Sequence, residues 1–177
     1  MTPNWNKTIA REMIRARRTL GAAQLLLKGG FLEDATSRAY YGVLHAAKAA
    51  LGQHQCAPKT HQGTQRMFAK LMVNNGLIEP EYSGIFSEEH DNRELCDYTA
   101  NFEMAELDAY QVVADAAKFI DRIERYLKDQ KTVKDGVTGH SPATTSDDAA
   151  MKVREAPSPA YRAKRARPGA KGREGRR

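Results

Sequence analysis

The segment "EDATSRAYYGVLHAAKAALG", residues 33–52, brings together residue types that can act on a phosphodiester. Arg38 and His45 are seven positions apart, close to two helical turns, so on a helix they project from one face about 10 Å apart along the axis. Tyr41 stands between them, Asp34 lies four before Arg38, and Lys48 lies three after His45. An imidazole titrates near neutral pH and can move protons, while a guanidinium grips phosphate through two parallel hydrogen bonds. Those two groups are the parts needed to cleave RNA without a metal ion. The plainer account of the same row is a solvated polar face with an Asp34–Arg38 pair worth about 0.2–0.5 kcal/mol.

The elements that must hold this row are helical. Trp5, Ile9, Met13, Ala16, Leu20, Ala23 and Leu27 recur three or four apart and draw one apolar stripe. Asn4 or Asn6 can cap its start, and Gly29-Gly30 stops it. The candidate segment predicts a second helix from about Phe31 to Gly52, with Leu32, Ala39, Val43, Ala46 or Ala47, and Ala50 inward. Its many alanines imply a closely approaching neighbour. Pro58 breaks the pattern, and Thr60 can cap a shorter third helix carrying Thr64, Phe68, Leu71 and Met72. A fourth is expected from Glu81 to about Tyr98, weakened by Gly84, and a fifth from Glu103 to Lys128. No stretch sustains strand alternation. The expected fold is all-α, an up-and-down bundle of about five helices over residues 1–130.

Residues 131–177 differ in character. Rich in Pro, Gly, Ser and charge, with few large apolar residues, they cannot offset their ordering entropy and are expected to form a disordered basic tail. The tail holds twelve basic and five acidic residues, leaving sixteen basic and seventeen acidic in residues 1–130. The overall charge of +6 therefore belongs to the tail, which is read either as a solvated terminus or as a segment that binds RNA phosphates or another acidic surface, and the core is close to neutral. No apolar run is long enough to cross a bilayer, the N-terminal residues lack the apolar block of a secretory signal, and a cytoplasmic protein is expected. Cys56 and Cys96 are read as two reduced, partly buried thiols.

"SRAYYGVLHAAKAAL" resembles the signature helix of the HEPN superfamily, an arginine followed by four to six residues and then histidine; here six separate Arg38 from His45. "KTHQGTQRMFAKLMVNNGLI" and "NRELCDYTANFEMAELDAYQVVADAAKFIDRIERYL" resemble the following segments of one HEPN branch, so the likeness runs from about residue 4 to 128. It implies a helical-bundle homodimer in which two arginine–histidine motifs meet across the interface. It also implies a metal-independent endoribonuclease with no cofactor, often the toxin paired with a nucleotidyltransferase antitoxin. Arg38 and His45 would be catalytic, Tyr41 and Lys48 would bind the RNA substrate, and the second His45 would make the opposite proton transfer. The alternative implied is a non-catalytic interaction module that binds a nucleotidyltransferase or nucleic acid.

Two positions depart from the pattern. Ala39 stands where active relatives often have a polar residue, and Ala47 stands where relatives inactivated by nucleotide transfer have tyrosine. Arg93 and "DY" at Asp97-Tyr98 match the family and imply a structural clamp. His54, Cys56 and His61 bracket one loop but lack a clear fourth ligand, so no metal site is expected, and His61 is read as support for the start of the third helix.

Overall fold

The computed structural model describes residues 4–99 and 103–136, without the side chains of residues 131 and 133–136. Five α-helices and no strand are present among them: α1 (Trp5–Lys28), α2 (Leu32–Gly52), α3 (His61–Phe68), α4 (Glu81–Tyr98) and α5 (Glu106–Gly136). A π-helical turn, Ala69–Val73, continues α3. The helical bundle expected from the sequence is the fold observed.

Local signals set the helix ends. Asn4 Oδ1 accepts from the Lys7 N–H at 3.1 Å and caps α1, whose last carbonyls receive the Gly29 N–H. Gly30 follows with φ of 79°, a left-handed conformation suited to glycine, and turns the chain into α2. Glu33 and Asp34 put negative charge at the N-terminal turn of α2. Thr60 caps α3 by accepting from the Gly63 N–H at 3.0 Å.

The central helix is α2, which touches every other helix and makes its most extensive contact with α1. Gly52 lies against Ile9 and Trp5, whereas Gly42 lies against Ala16 and Leu20, so α1 and α2 run antiparallel. A Cβ on Gly42 would stand 3.2 Å from Ile120 Cδ1 and 3.5 Å from the Ala16 carbonyl oxygen. Small side chains there let three helices meet closely. Beyond this seam, Phe68, Phe86 and Phe119 pack with ring centroids 5.2–5.9 Å apart and join α3, α4 and α5. Arg17 binds Asp121 at 2.7 Å and also Glu124, and Arg122 binds Glu79 at 2.8 Å, tying α5 to its neighbours at the surface.

The fourth helix has its expected bounds; Gly84 is exposed with open space around it and disrupts no packing. The fifth begins three residues later than expected and continues to Gly136. Apolar periodicity ends at Leu127, but the mostly polar residues that follow contain no glycine or proline before Gly136, so nothing breaks the backbone pattern. The expected boundary at residue 130 thus falls within α5, and the remainder of the expected tail lies outside the described residues.

Among the described residues one buried position carries a carboxyl group. Glu89 on α4 is 2% exposed, and its Oε2 has no hydrogen-bond partner. Burial, reinforced by the charges of Asp115 and Glu88, raises its carboxyl well above the usual range of about 4.5. The folded state therefore favours the protonated form. Stability is penalised as pH rises above the unfolded value, and the penalty disappears below it. Glu89→Gln should raise the melting temperature at about pH 7 and change it little at about pH 3.5, where the wild-type carboxyl is already neutral. An equal shift at both pH values, read by circular dichroism, would assign the effect to packing and not to charge.

Candidate active site

The outer row of α2 is anchored by its opposite side. Ala39, Val43, Ala46, Ala47 and Ala50 are fully buried, whereas Arg38 is exposed and Tyr41, His45 and Lys48 are partly exposed. The adjacent tyrosines separate accordingly. Tyr40 is fully buried against Phe86, His61 and His90, where burial raises its phenol. Tyr41 remains at the rim. Among the described residues Arg38 has no ion pair with Asp34 or another carboxylate, so its guanidinium faces outward unneutralised.

His45 is held by a residue that the sequence reading did not single out. Its Nδ1 is 2.7 Å from Glu12 Oε2, with the two side chains 22% and 16% exposed. The hydrogen bond with His45 holds the Glu12 carboxyl below its usual range, against the opposing effect of burial and with help from the charges of His45, Arg15 and Lys48. An Nδ1–H donating to Glu12 leaves Nε2 as the free ring nitrogen. Antiparallel packing places Glu12 beside His45 although 33 residues separate them. One signal was present in the sequence: Glu12 is the sole acid in α1, among six basic residues.

Tyr41 is set from two sides. The His61 ring meets it nearly perpendicularly, with centroids 6.0 Å apart, and the Arg93 guanidinium lies 5.9 Å from its centroid. Arg93 also pairs with Asp97 at 2.7 Å, donates to the Tyr98 hydroxyl at 3.1 Å and lies over the Tyr98 ring at 5.1 Å. Asp97 accepts from the Ser37 hydroxyl at 3.1 Å. The Arg93–Asp97 pair is local to α4, and through Asp97 the end of α4 is linked to Ser37 of α2 beside Arg38.

The loop residues disperse. His54 contacts the Tyr126 hydroxyl at 3.2 Å, Cys56 is a free, partly buried thiol, and His61 starts α3 against the tyrosines. Among the described residues no group of three His, Cys, Asp or Glu side chains is arranged to hold a metal ion. Cys96 is also free and partly buried, with burial raising its thiol to about 11. No described helix is long and apolar enough to cross a membrane.

The HEPN domain family matches residues 11–126, and the chain belongs to that family. Among its relatives is a candidate toxin of Methanocaldococcus jannaschii, 37% identical over 114 residues, which are 64% of this chain and 84% of that protein. A second candidate toxin of the same organism is 25% identical over 76% of this chain and 91% of its own length. A UPF0332 protein of Thermotoga maritima is 29% identical over 66% of this chain and 89% of its own length.

The lowered carboxyl of Glu12 has a consequence for stability. The pair with His45 stabilises the fold above the unfolded carboxyl value of about 4.5, and that contribution is lost as pH falls through the lower folded value. Glu12→Gln should cost about 1–3 kcal/mol near neutral pH and flatten the acid side of the stability curve. Denaturant melts from about pH 3 to 7 measure both effects. An unchanged acid limb would mean that Glu12 and His45 do not interact in solution.

Proposed function

We propose that this chain is a metal-independent endoribonuclease and the toxin of a two-gene module whose antitoxin is a nucleotidyltransferase. The observation that carries the reading is the pairing of His45 through Nδ1 with Glu12, on the helix face where Arg38 has no carboxylate partner among the described residues. An oriented proton carrier and an unneutralised guanidinium are thus available to one phosphodiester. The names of the two Methanocaldococcus relatives support the toxin role.

In the proposed reaction, a base removes the proton from a ribose 2′-hydroxyl and that oxygen attacks the adjacent phosphorus. The bond from phosphorus to the 5′-oxygen breaks, and an acid protonates the departing oxygen. Arg38 stabilises charge on the equatorial phosphoryl oxygens, His45 makes one proton transfer, Tyr41 positions the phosphate, and Lys48 guides the RNA backbone. The products carry a 2′,3′-cyclic phosphate and a 5′-hydroxyl.

The two departures from the family pattern have structural readings. Ala39 is fully buried on the side of α2 away from Arg38, so a polar side chain there would enter the core of this chain. Its being alanine takes nothing from the outward row. Ala47 is also fully buried and offers no hydroxyl for nucleotide transfer, so antitoxin control of this chain works by another route, such as direct occlusion of the face.

The chain should cut total RNA in the presence of EDTA. His45→Ala should lose about a hundredfold to ten-thousandfold in rate, and Arg38→Lys should also lose activity because an ammonium cannot reproduce the planar two-pronged grip. Circular dichroism should show both variants folded. Equal cutting by both variants would place the site elsewhere, and failure of the wild type to cut any RNA would favour the interaction module.

A homodimer with the Arg38–Tyr41–His45 face at or beside a two-fold axis is part of the same proposal. Light scattering should give about twice the chain mass at tens of micromolar. A strictly monomeric protein that cuts RNA would remove the dimer and leave the chemistry in place.

A further inference from the structure

The first helix carries six basic residues and one acid, Glu12, although residues 1–130 as a whole are close to neutral. Its arginines divide by direction. Arg17 turns toward α5, where it pairs with Asp121 at 2.7 Å and also with Glu124. Arg11, Arg15 and Arg18 follow one another at spacings of four and three, so they share a different face and span about 10 Å along the axis. Arg11 and Arg18 are exposed and have no ion pair among the described residues. Arg15, with its side chain 53% exposed, reaches Glu12 at 3.5 Å. Like charges at these spacings repel one another and destabilise a helix taken alone. With so little counter-charge of its own, the face is complementary to an extended anion.

That face is continuous with the outer row of α2, and Glu12 is the point they share. Its Oε2 meets His45 Nδ1 at 2.7 Å, and its Oε1 meets Arg15. Antiparallel packing also sets Gly42 against Ala16 and Leu20, so the stretch from Arg11 to Arg18 runs beside the middle of α2. An anion held at Arg38 and His45 therefore has the α1 arginines next to it.

We propose that Arg11, Arg15 and Arg18 form a track on α1 for the backbone of the RNA strand that flanks the phosphodiester held at the α2 row. The assignment rests on the ribonuclease reading and extends its substrate contact from one helix to two.

The chemistry of the face favours a nucleic-acid backbone over an acidic protein surface. A stable protein interface has an apolar centre, and Ile14 is the one large hydrophobic side chain exposed between Arg11 and Arg18. Contacts to phosphate need no such centre, and a planar guanidinium meets two phosphate oxygens at once. Regularly spaced arginines on a rigid helix fix the course of a strand without reading its bases.

The test measures binding, so it is independent of cleavage. The probe is a fluorescent oligouridylate carrying 2′-O-methyl groups throughout, which cannot be cut by attack of a 2′-oxygen. The full chain is compared with Arg11→Ala, Arg18→Ala and the double variant, with circular dichroism as the folding control. Arg15 is left in place because it shares Glu12 with His45. A second double variant, Arg66→Ala with Lys70→Ala, removes the same charge from exposed positions on α3 and the turn after it. Each α1 substitution should weaken binding about twofold to fivefold. Each should also make the slope of log affinity against log salt shallower by about 0.7, one phosphate contact on a single strand. The Arg66 and Lys70 control should keep the affinity and slope of the wild type. Failure of the wild type to bind the probe would overturn the proposal. So would equal binding by the α1 variants, or an equal loss in the control. Loss of binding to a glutamate polymer with RNA binding intact would identify the face as a site for an acidic protein instead. If the track behaves as expected but no RNA is ever cut, the ribonuclease reading falls and the track stands.

Discussion

The close antiparallel approach of α1 and α2 is the constraint on which the rest of the molecule depends. It requires the buried surface of α2 to be small, and Ala39, Gly42, Ala46, Ala47, Ala49 and Ala50 supply that surface. The Gly42 backbone then sits against the Ala16 carbonyl, with Ile120 of α5 filling the space beside it. Larger residues would force off-rotamer packing or backbone shifts at a cost of about 1–3 kcal/mol per site. Because the helices meet closely, a glutamate side chain on α1 reaches an imidazole on α2 at hydrogen-bond distance. Core packing and site geometry are two results of the same contact.

Charge is distributed to match. Several acids lie away from the row: Asp121 and Glu124 meet Arg17, Glu79 meets Arg122, and Glu81 meets Lys118. On and around the row the acids include Asp34, exposed one turn before Arg38 without an ion pair to it, Glu12, engaged by His45 and Arg15, and Asp97, engaged by Arg93 and Ser37. Arg38 therefore projects a local positive charge from a domain whose net charge is close to zero. Attraction of an anion to this face depends on which charges are paired, a property that overall composition conceals.

The sequence revealed the helices because their apolar residues recur at helical spacing, and it revealed the outer row because seven residues are almost two turns. Arg38, Tyr41, His45 and Lys48 lie on one helix, where spacing alone defines a face. Glu12 and His61 lie on other helices and reach the row only through tertiary packing, so periodicity along the chain could not connect them with it. The end of α5 was misplaced for a related reason. Apolar periodicity marks the length of helix that has something to bury, and α5 runs on from Leu127, where that periodicity ends, to Gly136.

Tyr40 and Tyr41 show how packing becomes chemistry at the level of single residues. They are neighbours in sequence, yet a helix separates successive side chains by about 100°. That rotation sends Tyr40 into the core and leaves Tyr41 at the rim. Tyr40 then provides the floor on which His61 and His90 rest, with centroids 5.7 and 5.5 Å away, and this brings α3 and α4 toward α2 at one level. At that level Tyr41 meets His61 and Arg93. A smaller residue at position 40 would remove the floor and release both imidazoles, although it would leave every residue of the outer row in place. The arrangement of groups around Arg38 and His45 is thus set from beneath, by a buried ring that takes no direct part in the proposed chemistry.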